Sequence, residues 1–222
     1  MHDRRAVGGL AVAETGEQLA DADGVIALDA RIQIDPAAVE EKGPNPALAI
    51  RPYPAGWAKD VSAGDATYRI RPIKPVDIGL YPDFLARISP DDIRLRFLAV
   101  RKSFDDEMLK RLTQLDYERD MAFVALEAES GALAGVGRLS TDPDRARGEY
   151  ALLVRTDLQG QGLGWQLLRQ IVDYARAEGV KRIEGIVLPE NKNMLHMCRS
   201  FGFVVTSHPG QPGLMLVTLD LA

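Results

Sequence analysis

Apolar and polar positions alternate without a lasting period in the first third of the chain and become regular from residue 67 on. Thr67-Tyr68-Arg69-Ile70-Arg71 has the two-residue period of a strand, closed by Pro72 and Pro75. Helical periods are predicted over 76–88, 91–98 and 104–115. The second opens with Ser89-Pro90-Asp91-Asp92: an N-cap, a proline at the first helical position and two acids where the orphan amides are. Strands are predicted over 121–127, 132–140 and 149–154, the first two joined by a tight Ser130-Gly131 hairpin into an antiparallel meander. Over 163–178, Leu163, Leu167, Leu168, Ile171, Val172 and Ala175 share one helical face, and Gly179 ends it. A strand at 182–188, a helix at 193–200 and strands at 203–206 and 214–219 complete an α+β order.

Ahead of this region, Pro36, Pro44, Pro46, Pro52 and Pro54 recur with Gly43, Gly56 and Gly64, which predicts a linker or a wrapped irregular segment. Residues 24–32 (Gly24-Val25-Ile26-Ala27-Leu28-Asp29-Ala30-Arg31-Ile32) read as a strand entered through the Asp21-Ala22-Asp23-Gly24 turn, with too little chain before it to bury it alone. The expected division is therefore residues 1–40, a Pro/Gly-rich linker at 41–65, and a regular domain at 66–222.

Composition changes this picture only by exclusion. With 46% apolar residues among 222, the chain can supply a core. A formal charge of −5 with Lys and Arg scattered through the sequence argues against nucleic acid as a partner. Cys198 is the sole cysteine and cannot form an internal disulfide. No apolar stretch reaches the roughly 18 residues of a spanning helix, and the run at 10–13 is far too short for the core of a signal peptide. A soluble protein of a reducing cytoplasm, away from membranes, is the expectation. Cys198, His196 and His208 do not make a zinc spacing, so no metal is expected.

The candidate chemistry lies in Arg155-Thr156-Asp157-Leu158-Gln159-Gly160-Gln161-Gly162-Leu163-Gly164, between a strand and a helix. Glycines here let the backbone approach a ligand and let successive amides point one way, so that the helix start faces a phosphate or pyrophosphate. A tight turn alone would also use them. No Lys-Ser or Lys-Thr pair follows, which excludes a nucleotide P-loop, and the preceding meander does not fit a dinucleotide βαβ unit.

Gln159, Gly162 and Gly164, followed by Asn191, Met194 and Gly202-Phe203 at the spacing of a second motif, resemble the GNAT acyltransferases. The resemblance implies a mixed, mostly antiparallel sheet with a splayed central strand pair and flanking helices, and acetyl-CoA as cosubstrate. It implies that the backbone of Leu153, Val154 and Arg155 bonds the pantetheine arm, that the amides of Gln159, Gly160, Gln161, Gly162, Leu163 and Gly164 hold the pyrophosphate, and that Asn191 faces the lower pantetheine region. Ser89-Pro90-Asp91-Asp92-Ile93-Arg94-Leu95-Arg96-Phe97 and Asp116-Tyr117-Glu118-Arg119-Asp120-Met121-Ala122-Phe123-Val124 are similar, within that family, to protein lysine acetyltransferases fused behind an NDP-forming acyl-CoA synthetase. On that likeness, residues 1–40 are a remnant of the end of an ATP-grasp region, with Asp29 a structural remnant. Nearly all of the synthetase is absent, so nucleotide binding is not implied.

Acyl transfer to an amine needs the amine uncharged, and a carboxylate can take its proton directly or through one water. Glu149, at the start of the strand leading to the loop, is the candidate catalytic base; the related lysine acetyltransferases have a glutamate at the corresponding place, and a solvated strand-end carboxylate is the plain alternative. Glu184 is held in reserve, while Glu127 and Glu129 are expected to face solvent. Where many family members have a tyrosine that protonates the departing thiolate, this chain has Cys198, expected to be a packing residue. His196 is expected at the surface, Met194, Met197 and Met215 in the core, and Trp165 against the helix start. The segment 116–120 is either a solvated turn or a packing or substrate-side element. The expected activity is transfer of acetyl from acetyl-CoA to a protein lysine, with an AMP-forming acyl-CoA synthetase as the partner implied by the resemblance. A small-molecule amine acetyltransferase and a non-catalytic acyl-CoA sensor are the alternatives.

Overall fold

The computed structural model describes residues 51–99 and 103–221, together with the backbone of five short strands nearer the N-terminus. The chain divides into two units, Met1–Pro52 and Tyr53–Ala222. In the first, β1 (Arg5–Val7), β2 (Leu10–Val12) and β5 (Ile32–Ile34) form one small sheet, and β3 (Gln18–Ala20) pairs with β4 (Val25–Ala27) in another. The strand expected over 24–32 is thus two strands in different sheets, and Asp29 lies outside the described residues. So does most of the region assigned to an ATP-grasp remnant.

The second unit is built on an eight-stranded sheet in the order β12-β13-β11-β10-β9-β8-β7-β6. In chain order these are β6 (Lys59–Ala63), β7 (Ala66–Pro72), β8 (Asp120–Glu127), β9 (Leu133–Thr141), β10 (Arg147–Val154), β11 (Arg182–Val187), β12 (Val204–Ser207) and β13 (Met215–Asp220). The helices are α1 (Tyr81–Ala86), preceded by a 3-10 turn at Pro75–Leu80, α2 (Pro90–Phe97), α3 (Asp106–Thr113), α4 (Leu163–Ala177) and α5 (Lys192–Ser200). Every pairing in this sheet is antiparallel except β10 with β11.

The linker expected at 41–65 is corrected from residue 53 on. Tyr53 donates to the Pro72 carbonyl at 3.0 Å, and Trp57 meets Phe123 and Tyr174 edge-on. Gln170 of α4 donates to the Trp57 carbonyl at 2.9 Å, and β6 then pairs with β7. Aromatic anchors of this kind bury large areas in defined geometry, so this stretch belongs to the domain.

Two apolar layers cover the sheet. One holds Phe123, Leu139, Tyr150 and Leu152 against Leu163, Leu167, Leu168 and Ile171 of α4; the helical stripe read from the sequence is buried throughout. The other holds Ala122 and Val124 against Ile73, Tyr81, Phe84, Ile93 and Leu109. Alternation along β10 therefore gives Tyr150 and Leu152 to the α4 layer and turns Glu149, Ala151 and Leu153 toward α1 to α3. Tyr117 joins the fold rather than solvent: its hydroxyl donates to the Ile73 carbonyl at 2.6 Å.

Candidate active site

The parallel pair β10–β11 is in register only at Arg147↔Arg182, Gly148↔Ile183 and Glu149↔Glu184. Beyond those residues both strands continue without pairing each other. A gap opens in mid-sheet, and a cleft of about 740 Å³ runs through it from Glu149, past Leu152, Val154 and Gly185, to Gly160, Gly162 and Asn191. Gly185 is required at the gap: a Cβ there would stand 2.7 Å from the Tyr150 ring.

Backbone parity decides which groups of β10 reach this gap. The Arg155 amide donates to the Ala134 carbonyl at 2.9 Å, and the Arg155 carbonyl accepts from Leu158 at 3.0 Å. Antiparallel hydrogen bonding alternates, so the peptide groups of Leu153 are turned with Arg155 toward β9, and a Cβ at Gly135 would lie 3.3 Å from the Leu153 carbonyl oxygen. Leu152 and Val154 present theirs to the gap. Of the three residues expected to bond a pantetheine arm through their backbone, only Val154 is so turned; Leu153 and Arg155 are corrected in favour of Leu152. The Arg155 side chain is also spoken for, buried at 4% exposure and paired with Glu127 at 2.7 Å and Asp157 at 2.6 Å. Glu127 is accordingly a structural ion-pair partner, not a solvent-facing carboxylate, whereas Glu129 is exposed.

The loop after β10 ends on Gly162, in the left-handed region at φ 95°, which caps α4 without a side chain. Gln159 directs its amide at the Thr156 carbonyl at 3.4 Å, and Gln166 is the first in α4 to bond back, to Gly162. The amides of Gly160, Gln161, Gly162, Leu163, Gly164 and Trp165 have no acceptor among the described residues. Together with the positive end of a 15-residue helix they form an anion site. A pyrophosphate fits it.

Asp92 ties this loop to α2. It accepts from Thr156 at 2.5 Å and from Ser89 at 2.7 Å, while the Ser89 hydroxyl accepts from the Asp92 amide at 3.1 Å. Burial pushes its carboxyl up, but hydrogen bonds from Thr156, Gln159 and Ser89 outweigh burial and hold it below the usual carboxylate range. A folded value below the unfolded one means that its stabilisation is complete above the unfolded value and fades as pH falls through the folded one. Asp92→Ala is expected to cost about 1–2 kcal/mol at pH 7, the usual worth of the hydrogen bonds from Thr156 and Ser89 that it removes. The gap between the thermal melts of the two proteins should narrow as pH falls through the folded value, which lies below the usual carboxylate range; a gap that persists well below it would assign the loss to packing instead.

Asn191 caps α5 by accepting from the Met194 amide at 3.1 Å, and it lines the cleft. Met194 and Met197 line it as well, half-buried, and are not the plain core residues their spacing suggested. His196 is exposed at the cleft edge, and Trp165 stacks on Phe201 with ring centroids 3.9 Å apart. Cys198 is fully buried, its Sγ 2.9 Å from the Tyr150 hydroxyl, and burial pushes its thiol up. It packs. Glu149 is exposed and lines the cleft on the α2 side of the gap; Glu184, its register partner, is half-buried and does not. Among the described residues no cluster of His, Cys, Asp or Glu could hold a metal, and no helix is long and apolar enough to cross a membrane.

A family model described as "Acetyltransferase (GNAT) family" matches residues 89–203. The chain is 33% identical over 155 residues to Acetyltransferase PA5475 of Pseudomonas aeruginosa, an alignment covering 69% of this chain and 83% of that protein. It is 28% identical over 159 residues to Acetyltransferase Pat of Mycolicibacterium smegmatis, covering 71% of this chain but 46% of that protein. Among solved structures, the GNAT domain of S. lividans PAT superposes with a TM-score of 0.71 at 27% identity, over 77% of this chain and all of that one.

Proposed function

The chain belongs to the GNAT acetyltransferase family, and from that premise we propose that it transfers an acetyl group from acetyl-CoA directly to a lysine ε-amine of a protein, with Glu149 as general base. Acetyl-CoA-dependent N-acetyl transfer is the family's chemistry. The observation that carries the rest is Glu149 at the head of the gap between β10 and β11, the one carboxylate of the cross-strand pair that lines the cleft.

In this reading the six amides at 160–165 and the helix behind them hold the pyrophosphate, Leu152 and Val154 bond the pantetheine arm through their peptide groups, and the Asn191 side-chain amide lies along its lower part. The thioester is thereby placed in the gap beside Glu149. Glu149 takes the proton of the attacking amine as the C–N bond forms; the C–S bond breaks, and the thiolate takes its proton from solvent. Neither a covalent acyl-enzyme nor Cys198 is needed.

A protein acceptor is supported by the likeness of 89–97 and 116–124 to protein lysine acetyltransferases. It is also supported by the cleft edge, where two of the four large apolar side chains left exposed among the described residues, Leu98 and Trp165, stand. On the same likeness, an AMP-forming acyl-CoA synthetase is the acceptor proposed and residues 1–40 the remnant of an ATP-grasp region; the lone cysteine supports a reducing cytoplasm as the compartment. The test is CoA thiol release from acetyl-CoA with a purified AMP-forming acetyl-CoA synthetase, run beside a panel of small amines. Release with the synthetase and its loss when the synthetase's catalytic lysine is replaced are expected; release with amines alone would move the activity to metabolites.

A further inference from the structure

The arginine that lines this cleft has no hydrogen-bond or ion-pair partner among the described residues. Arg94 on α2 bonds Glu190 at 2.8 Å and Asp91 at 3.0 Å, and Arg138 on β9 donates to the Arg111 carbonyl at 3.2 Å while facing Asp120 at 4.0 Å. Arg96, half-buried, has neither a hydrogen bond nor an ion pair among the described residues, and its guanidinium lies 4.8 Å above the Phe97 ring. It lines both the cleft and a small adjoining cavity walled by Tyr81, Phe84, Leu112, Val136 and Leu153. The Tyr81 hydroxyl is the one side-chain oxygen among those walls, and Arg96 makes no hydrogen bond to it.

A cation in such a place is costly unless something negative meets it. Burial and the positive charge of Arg138 push Arg96 down to about 10, opposed by the charge of Glu149; even so it remains charged at neutral pH. The direction in which it is open follows from a second observation. Gln170 Oε1 is the sole fully buried side-chain polar atom without a partner among the described residues. The nitrogens of Arg96 are therefore not sealed in the wall, and one of the two spaces the residue lines is the cleft that Glu149 also lines. Helix α2 lies against β10, so the cation and the candidate base flank one space. Beside Glu149, Glu184 shares its face of the sheet. An amine that enters the cleft toward Glu149 shares that space with a guanidinium.

We propose that Arg96 binds a carboxylate of the acceptor, so that this enzyme selects amines that carry a carboxylate close by: an acidic residue beside the target lysine, or the α-carboxylate of a free amino acid. The proposal rests on the acyl-transfer reading of the cleft and deepens it by naming the charge pattern of the acceptor. Carboxylate–guanidinium bonds are charge-assisted and bidentate, and loss of such a contact typically lowers binding by roughly 10- to 100-fold.

The test uses two matched acid and amide pairs: a lysine peptide with Asp or with Asn beside the lysine, and leucine or leucinamide. Binding to the CoA-loaded full chain is read by calorimetry, and thiol release from acetyl-CoA is read separately. At least a tenfold preference for the acid within one pair is expected, collapsing toward one in Arg96→Gln and partly kept in Arg96→Lys, which retains the charge and the packed stem. The pair that shows it identifies the source of the carboxylate. Equal binding of acid and amide, a preference that survives in Arg96→Gln, or no binding by any of the four would overturn the proposal. Selective binding without thiol release from any acceptor would instead leave the Arg96 assignment standing and sink acyl transfer. Melting curves separate a misfolded Arg96→Gln from a specific loss, and Arg96→Lys then carries the test.

Discussion

Glu149→Gln is expected to lower kcat for acetyl transfer by roughly 10² to 10⁴ while CoA binds as before, since a positioned general base contributes about that much. The change keeps the shape of the side chain and its place between Ser140 and Glu184 across the sheet, and it removes only the ability to take a proton. In free-energy terms the loss is about 2.7–5.5 kcal/mol of barrier. It should fall on kcat and kcat/KM alike, the signature of an interaction made in the transition state. Glu184→Gln is the control. Its carboxylate shares the sheet face but not the cleft lining, so a smaller loss is expected. Full activity in Glu149→Gln with collapse in Glu184→Gln would transfer the base to β11 and the acceptor to its side of the gap.

What the chain discloses in one dimension are features whose physics is local. The stripe from Leu163 to Ala175 is legible because burial against a sheet imposes a helical period, and Gly160 and Gly162 because their positive φ favours glycine. The N-cap at Ser89 is legible, but the reach of Asp92 to Thr156, 64 positions away, is not, since nothing in either neighbourhood encodes the other. Backbone parity is a further limit. Reading the end of a strand does not say which peptide groups face β9 and which face the gap, and that single bit separates Val154 from Leu153 and Arg155. The stretch 53–63 was hidden for a different reason: proline and glycine density outweighed Tyr53, Trp57 and the short alternation of β6, whose partners lie on β7, β8 and α4. In the sequence Arg96 belongs to a helical period and a family-like string. Its lack of a partner exists only once α2 is laid on β10.

Gly162→Val is expected to raise the KM for acetyl-CoA by roughly 10²-fold, with a modest loss of stability. Gly162 holds φ 95°, and an added Cβ would meet nothing within 4 Å. The protein therefore has room for the side chain, and the cost within it is backbone strain, about 1–2 kcal/mol or somewhat more for a β-branched residue. For a domain of this size that is a drop of several degrees in Tm. The larger effect comes from where the room is: Gly162 lines the cleft, so a valine would occupy space in front of the amides that the pyrophosphate needs, at a typical loss of 1.5–3 kcal/mol for each charge-assisted bond forfeited. Gly131→Val separates the two causes. That residue sits at φ 70° in the hairpin between β8 and β9, also with open space around an added Cβ and away from the cleft. It should lose a similar number of degrees and keep a normal KM. If both variants melt early and both bind acetyl-CoA normally, the start of α4 does not hold the pyrophosphate, and the free amides at 160–165 would need another anion.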